Sequence, residues 1–206
     1  MIICDVEFEL PNGPVGVLCS GGADSSLVLY LLMKYSKHPI HILTLSNATK
    51  HFTNSLVINY VIDYCIKKTN NTNITLHNWF TTKQTNKELE RLPLQMLTNK
   101  TFSTLYIGDT CYPDDKLNQS WADQTNDVFQ NIEARKPNKN RPTKIGPMYT
   151  PYTNYDKRKI AEIYKAENIM DLFSYTRSCE SIKDIGTRHC GNCWWCKERE
   201  WAFGKL

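Results

Sequence analysis

No lysine occurs between Val15 and Met33, although this stretch, VGVLCSGGADSSLVLYLLM, sets two glycines and four small polar residues between two apolar runs. That absence excludes the common nucleotide loop, in which a lysine reaches the terminal phosphates. Long apolar runs are also missing. The longest, Leu27 to Met33, is far too short to cross a bilayer, so no membrane partner is expected. The N-terminal MIICDVEFELPNG carries acids where a secretory leader needs a basic flank, which makes a cytoplasmic protein the expectation. Neither sign of charge dominates. Lys and Arg number 25 against 21 Asp and Glu, and the net +4 suits an anionic small molecule or a nucleic acid without arguing for either.

The 206 residues fit one domain with a small appendage. VGVLC reads as a buried strand, followed by a helix from about Asp24 to Tyr35. Pro39–Leu45, Asn73–Phe80 and Thr104–Gly108 read as further strands. Helical spacing recurs over Thr53–Lys68, over Asn86–Asn99 with an interruption expected at Pro93, over Gln119–Ala134, and over YDKRKIAEIYKAENI. Strands alternating with helices predict an α/β fold, a doubly wound parallel sheet over residues 1–170. A C-terminal cysteine segment, 171–206, packs on it in this reading. RKPNKNRPTK, from Arg135 to Lys144, reads as a mobile surface segment.

In a doubly wound sheet, ligands sit outside the carboxyl ends of the strands. Ser20 to Ser26 fall at that end of the first strand and open the first helix. Gly21 and Gly22 let an anion approach the main chain, and the first helical amides lack intrahelical partners. Ser20, Ser25 and Ser26 add hydroxyl donors. The expected ligand is a pyrophosphate group, with Cys19, Ser20, Gly21, Gly22, Ala23, Asp24, Ser25 and Ser26 as its cradle. Asp24 is open to capping the helix, to ligating magnesium, or to both. The plainer alternative is a tight strand-to-helix turn with an ordinary cap.

Of the eight cysteines, Cys4, Cys19, Cys65 and Cys111 are scattered, whereas Cys179, Cys190, Cys193 and Cys196 cluster. Their spacing, C-x10-C-x2-C-x2-C, can close a tetrahedron of thiolates around zinc, with no position left for water and hence a structural role. Lys197, Arg188 and Arg199 would offset its negative charge. An iron–sulfur cluster and four ordinary buried cysteines remain alternatives. His189 is adjacent, and its imidazole reads as incidental. Trp194, Trp195 and Trp201 are expected to pack around the metal or at a subunit interface.

The SGGADS loop resembles that of the PP-loop ATP pyrophosphatases, which have the adenine nucleotide alpha hydrolase-like fold and cleave ATP between its α- and β-phosphates. Loop and cysteines together resemble the 7-cyano-7-deazaguanine synthases. That family's C-terminal signature is similar to Ser178-Cys179, Cys190-Gly191-Asn192-Cys193-Trp194-Trp195-Cys196, Arg199 and Ala202-Phe203 here. YPDD, Tyr112 to Asp115, looks like its Y-P-D-C segment, with Asp115 in place of the cysteine. TPYTNYDKRKI, Thr150 to Ile160, is similar to its T-P stretch with a following lysine. Two segments depart from the family: LSNATKHFTNSL retains only His51 of a G-Q-R-H-like stretch, and LERLPLQMLTNK replaces a P-G-R-N-like turn.

The resemblance implies an enzyme that uses ATP and magnesium to convert 7-carboxy-7-deazaguanine and ammonia to 7-cyano-7-deazaguanine, releasing AMP and pyrophosphate. It implies a structural Zn2+, a homodimer and no requirement for nucleic acid. Asp24 would place magnesium, Lys157 would neutralise charge near the α-phosphate, and Asp114 would contact substrate or ammonia. The two departing segments lie near the substrate in that family. A related adenylating enzyme acting on another base, a tRNA position or a protein end is therefore the alternative, followed by a zinc-ribbon nucleic-acid-binding protein.

Overall fold

The computed structural model describes residues 1–47, 53–81, 86–125, 135–137, 140–179 and 189–206. Its framework is a six-stranded sheet built from β3 (Val15–Leu18), β4 (Ile40–Asn47), β5 (Ile74–Thr81), β6 (Thr104–Ile107), β7 (Lys144–Ile145) and β8 (Met148–Tyr149). The strand order is β5-β4-β3-β6-β8-β7. All neighbours run parallel except the β7–β8 hairpin at one edge. A separate hairpin, β1 (Ile2–Ile3) and β2 (Val6–Glu7), precedes the sheet.

Alternating side chains on each strand divide the core into two layers. Val15, Val17, Ile40, Ile42 and Tyr106 face one side. They are covered there by α1 (Ala23–Tyr35), α2 (Asn54–Thr69) and α5 (Lys157–Ala166). Leu18, Leu43, Leu105 and Ile107 face the other, against α3 (Asn86–Thr98). Helices thus lie on both faces, as the alternation of elements predicts. Helix α1 is buried all round from Ser25 to Met33, because α2 and α5 flank it.

Two helices differ from expectation. Helix α3 continues through Pro93. The proline removes one hydrogen bond, but Leu92, Met96 and Leu97 on both sides of it pack against the same layer and hold the axis. Helix α4 (Asp115–Thr125) begins four residues early. Asp114 caps it, accepting from the Leu117 amide at 3.0 Å, and Asn118 and Trp121 are buried beneath it. Residues 126–134 of the expected helix lie outside the described residues, as does His51.

The chain runs from β3 outward through β4 to β5, then returns to β6 on the opposite side of β3. The carboxyl ends of β3 and β6 are therefore where the winding direction reverses. Open α/β sheets form their ligand crevice at such a point.

Candidate functional site

Residues 19–22 leave β3 at that reversal and enter α1. Gly21 takes φ +79°, and a Cβ there would lie 2.6 Å from Val57 Cγ1. Only glycine fits both constraints. Gly22 is the N-cap of α1 and no side chain caps the helix. The first amides of α1 are thus left for an anion, with the helix dipole behind them. Asp24 does not cap, although its position in sequence suggested that it could. Its Oδ2 lies 3.2 Å from Lys157 Nζ, and its Oδ1 is buried without a hydrogen-bond partner among the described residues.

The cradle residues divide by role. Ser20, Gly22, Asp24 and Ser25 line the cavity. The Ser25 hydroxyl lies 3.3 Å from both the Ser20 amide and the Ser20 hydroxyl, which fixes the turn. Cys19 points its thiol into the core, where burial pushes the thiol pKa up. Ala23 and Ser26 are fully buried. Gly21 accepts the Arg177 amide at 2.9 Å, so it supports the cradle from behind.

The opposite wall comes from the end of β6. A Cβ on Gly108 would sit 2.7 Å from the Ser25 amide nitrogen, so this strand end and the start of α1 meet only because residue 108 has no side chain. Asp109 follows it into the cavity. Arg135 donates to the Thr110 carbonyl at 2.7 Å and to its hydroxyl at 3.1 Å, and stacks 4.4 Å from the centre of the Tyr112 ring. Burial opposes its charge, but Asp109 foremost holds the guanidinium pKa above its ordinary value. Arg135 is thus part of the cavity wall and not the start of a mobile surface segment. Asp114 is absent from the lining and serves α4 instead.

Lys157 opens α5 and is nearly fully buried, with its ammonium on the cavity. Burial works against its charge, yet Asp24 and then Glu198 hold its pKa above the ordinary lysine value. Arg177, Ser178 and Cys179 complete the wall from the C-terminal segment, together with Trp195.

That segment is organised by the thiols. The Sγ atoms of Cys179, Cys190, Cys193 and Cys196 all lie within 4.8 Å of one another. The Cys190–Cys196 and Cys179–Cys193 pairs are 3.9 Å apart. A tetrahedral zinc site with bonds of about 2.3 Å has edges of about 3.8 Å, so these residues fit one metal ion. Two backbone amides, of Cys190 and Cys193, donate to Cys179 Sγ at 3.4 Å and to Cys190 Sγ at 3.3 Å. Such bonds favour thiolates. Without a cation the packed thiols resist ionisation: the bond with Cys179 raises the Cys193 pKa, and Cys196 is raised to about 12.

Cys193 also occupies the N-cap position of α6 (Trp194–Phe203), without a side-chain capping bond; this is a helix the sequence did not announce. Trp194 is buried against Tyr112 and Trp121, and its Nε1 donates to Asn118 Oδ1 at 3.0 Å, so it packs against α4, where packing around the metal or at a subunit interface was expected. Burial lowers the Arg199 pKa to about 10, with Cys196 among the groups that oppose this shift, while its hydrogen bonds go to other partners. Arg199 donates to Thr176 Oγ1 and the Phe173 carbonyl at 2.8 and 2.7 Å. Arg188 lies outside the described residues.

Sequence reasoning missed Gly108, Asp109, Arg135, Arg177 and Glu198. A strand ending in glycine and aspartate at the winding reversal was a usable signal for the first two. The others carry none, since a lone charged residue in a loop or helix is usually solvated.

A family model described as asparagine synthase matches residues 11–79, from before β3 through most of β5. No curated protein matches the chain. Among solved structures, NMN synthetase from Francisella tularensis is similar at a TM-score of 0.50 and 12% identity, covering 93% of this chain and 77% of that one. The U34-tRNA thiolase NcsA from Methanococcus maripaludis with its 4Fe-4S cluster gives a TM-score of 0.47 at 12% identity, covering 90% and 63%. The chain has a PP-loop-like α/β fold. The matched segment contains β3, the glycine loop and α1. No helix among the described residues is long and apolar enough to cross a membrane.

Proposed function

We propose that the protein is an ATP-dependent carbon–nitrogen ligase that activates its acceptor by adenylation. One observation carries this reading: an uncapped helix N-terminus, entered by a lysine-free glycine loop, faces a buried lysine across the cavity. Amides and hydroxyls hold a pyrophosphate through hydrogen bonds that need no bound cation of their own, and so release it with its metal ion. The Asp24 carboxylate, with one oxygen buried and unpartnered, suits magnesium. Magnesium would neutralise phosphate charge there.

The acceptor proposed is 7-carboxy-7-deazaguanine. Its carboxylate oxygen attacks the α-phosphorus, the bond to pyrophosphate breaks, and Lys157 stabilises charge on the α-phosphate. Ammonia then displaces AMP at the carbonyl carbon to give the amide. The amide oxygen then attacks the α-phosphorus of a second ATP, pyrophosphate and one amide proton leave, and loss of AMP with the second proton leaves the nitrile. The protein's share is positioning and electrostatics. The four thiolates would hold a structural zinc that orders the C-terminal wall of the same cavity.

A second acceptor class is favoured by one finding. No described residue of α3, which contains most of the departing LERLPLQMLTNK segment, lines the cavity. A related adenylating enzyme acting on another base, a tRNA position or a protein end fits that wall as well. Incubation with 7-carboxy-7-deazaguanine, ATP, magnesium and ammonium should yield AMP and the nitrile. AMP formed only when RNA or a protein is supplied would transfer the proposal to that acceptor, and no AMP with any of them would end it.

A further inference from the structure

Glu198 lies on α6, two residues past Cys196, and is fully buried. A buried carboxylate is costly unless it is paired. Its partner is Lys157, whose Nζ stands 2.7 Å from Glu198 Oε2 and 3.2 Å from Asp24 Oδ2. One ammonium therefore joins two carboxylates, one from the start of α1 and one from the cysteine segment. Asp24 and Lys157 line the cavity, whereas Glu198 stands behind them.

A lysine needs only one carboxylate to be neutralised. The second, Asp24, keeps one oxygen unpartnered among the described residues, beside a loop that offers its amides to an anion, and Arg135 also acts on both carboxylates. We infer that Glu198 is a positioning residue that keeps Lys157 anchored so that Asp24 is free to take a divalent cation when nucleotide binds. This rests on the nucleotide reading of the cavity proposed above. Asp24 already has one oxygen without a partner among the described residues, and Glu198 supplies Lys157 with a counter-charge that stays when Asp24 leaves. Without Glu198, the ammonium would have Asp24 as its closest carboxylate and would compete with magnesium for it. A purely structural ion pair between α5 and α6 would affect stability but not the demand for magnesium.

The test measures ATP binding by calorimetry across a magnesium titration, with metal content and melting temperature determined on each protein. Glu198→Gln should raise the magnesium concentration for half-maximal binding about 10- to 100-fold, as loss of an outer-shell partner does. Glu198→Asp should recover part of it. Adding Glu198→Gln to Lys157→Met should cause no further shift, since Glu198 acts through Lys157. This double variant removes both charges together and stays informative even where Glu198→Gln alone does not fold. A parent-like magnesium dependence in Glu198→Gln, or a full additional shift in the Lys157→Met background, would overturn the role of Glu198 and leave the nucleotide site standing. A parent that binds no ATP would remove the nucleotide reading, and this inference with it.

Discussion

Gly108 and Ser25 stand so close that a methyl group on the glycine would lie 2.7 Å from the serine's amide nitrogen. The contact is backbone against backbone, so no side chain can rotate away to make room. It fixes the distance between the end of β6 and the start of α1, which together form the cavity.

Gly108→Ala should therefore part β6 from the start of α1. Overpacking of this kind costs about 1–3 kcal/mol, and the displaced amides should weaken ATP binding by about tenfold or more. Urea unfolding and calorimetry read the two effects separately. A variant with unchanged stability and affinity would show that the close approach is not required.

Arg135→Gln removes a cation from the cavity wall opposite the glycine loop together with its bonds to Thr110. A hydrogen bond from a charged group contributes about 1.5–3 kcal/mol, so a measurable drop in stability is expected. The more specific outcome is a higher KM for the acceptor with ATP binding nearly intact. Equal loss for both ligands would place Arg135 elsewhere in the chemistry.

The thiol cluster predicts one tightly held metal ion per chain. Cys190→Ser should lose it, and the melting temperature should fall by about 2–4 °C for each kcal/mol of stability lost. Elemental analysis identifies the ion, and zinc is expected at this sulfur spacing. Iron with a visible absorption band would replace zinc in that assignment.

His41 and His77 lie on neighbouring strands with Nδ1 and Nε2 3.0 Å apart and rings stacked at 5.3 Å. Burial lowers both pKa values from the ordinary 6.5, and His77 adds to the effect on His41. The folded state thus favours the neutral rings. Their stabilising contribution is complete above about pH 6.5 and is lost as pH falls through the lower folded values. The urea midpoint should drop between pH 7.5 and 5, and His77→Gln should flatten that dependence. A parent-like slope in the variant would assign the loss to other groups.

The central sheet was legible because buried strands leave short apolar runs. The loop was legible because glycine and small polar residues interrupt them so sharply. The β1–β2 hairpin was not. Its turn puts Cys4 and Asp5 at φ +48° and +64°, positions where asparagine and glycine are the recognisable signal. Pro93 misled for a related reason, since tertiary packing of Leu92, Met96 and Leu97 outweighs the local cost. Within the site, Asp24 and Lys157 were identified singly, and their ion pair was not. Glu198 acquires its meaning from Lys157, 41 positions away, and Arg135 from Thr110 and Tyr112, 25 and 23 positions away. No local pattern encodes such distances.

The cavity draws Ser20 and Asp24 from one end of the chain and Arg177, Cys179 and Trp195 from the other. During synthesis, the loop near residue 20 leaves the ribosome long before its opposing wall is translated. Half-made chains consequently carry the glycine loop without the wall of Arg177, Cys179 and Trp195, and the cavity is complete only once that wall has been translated.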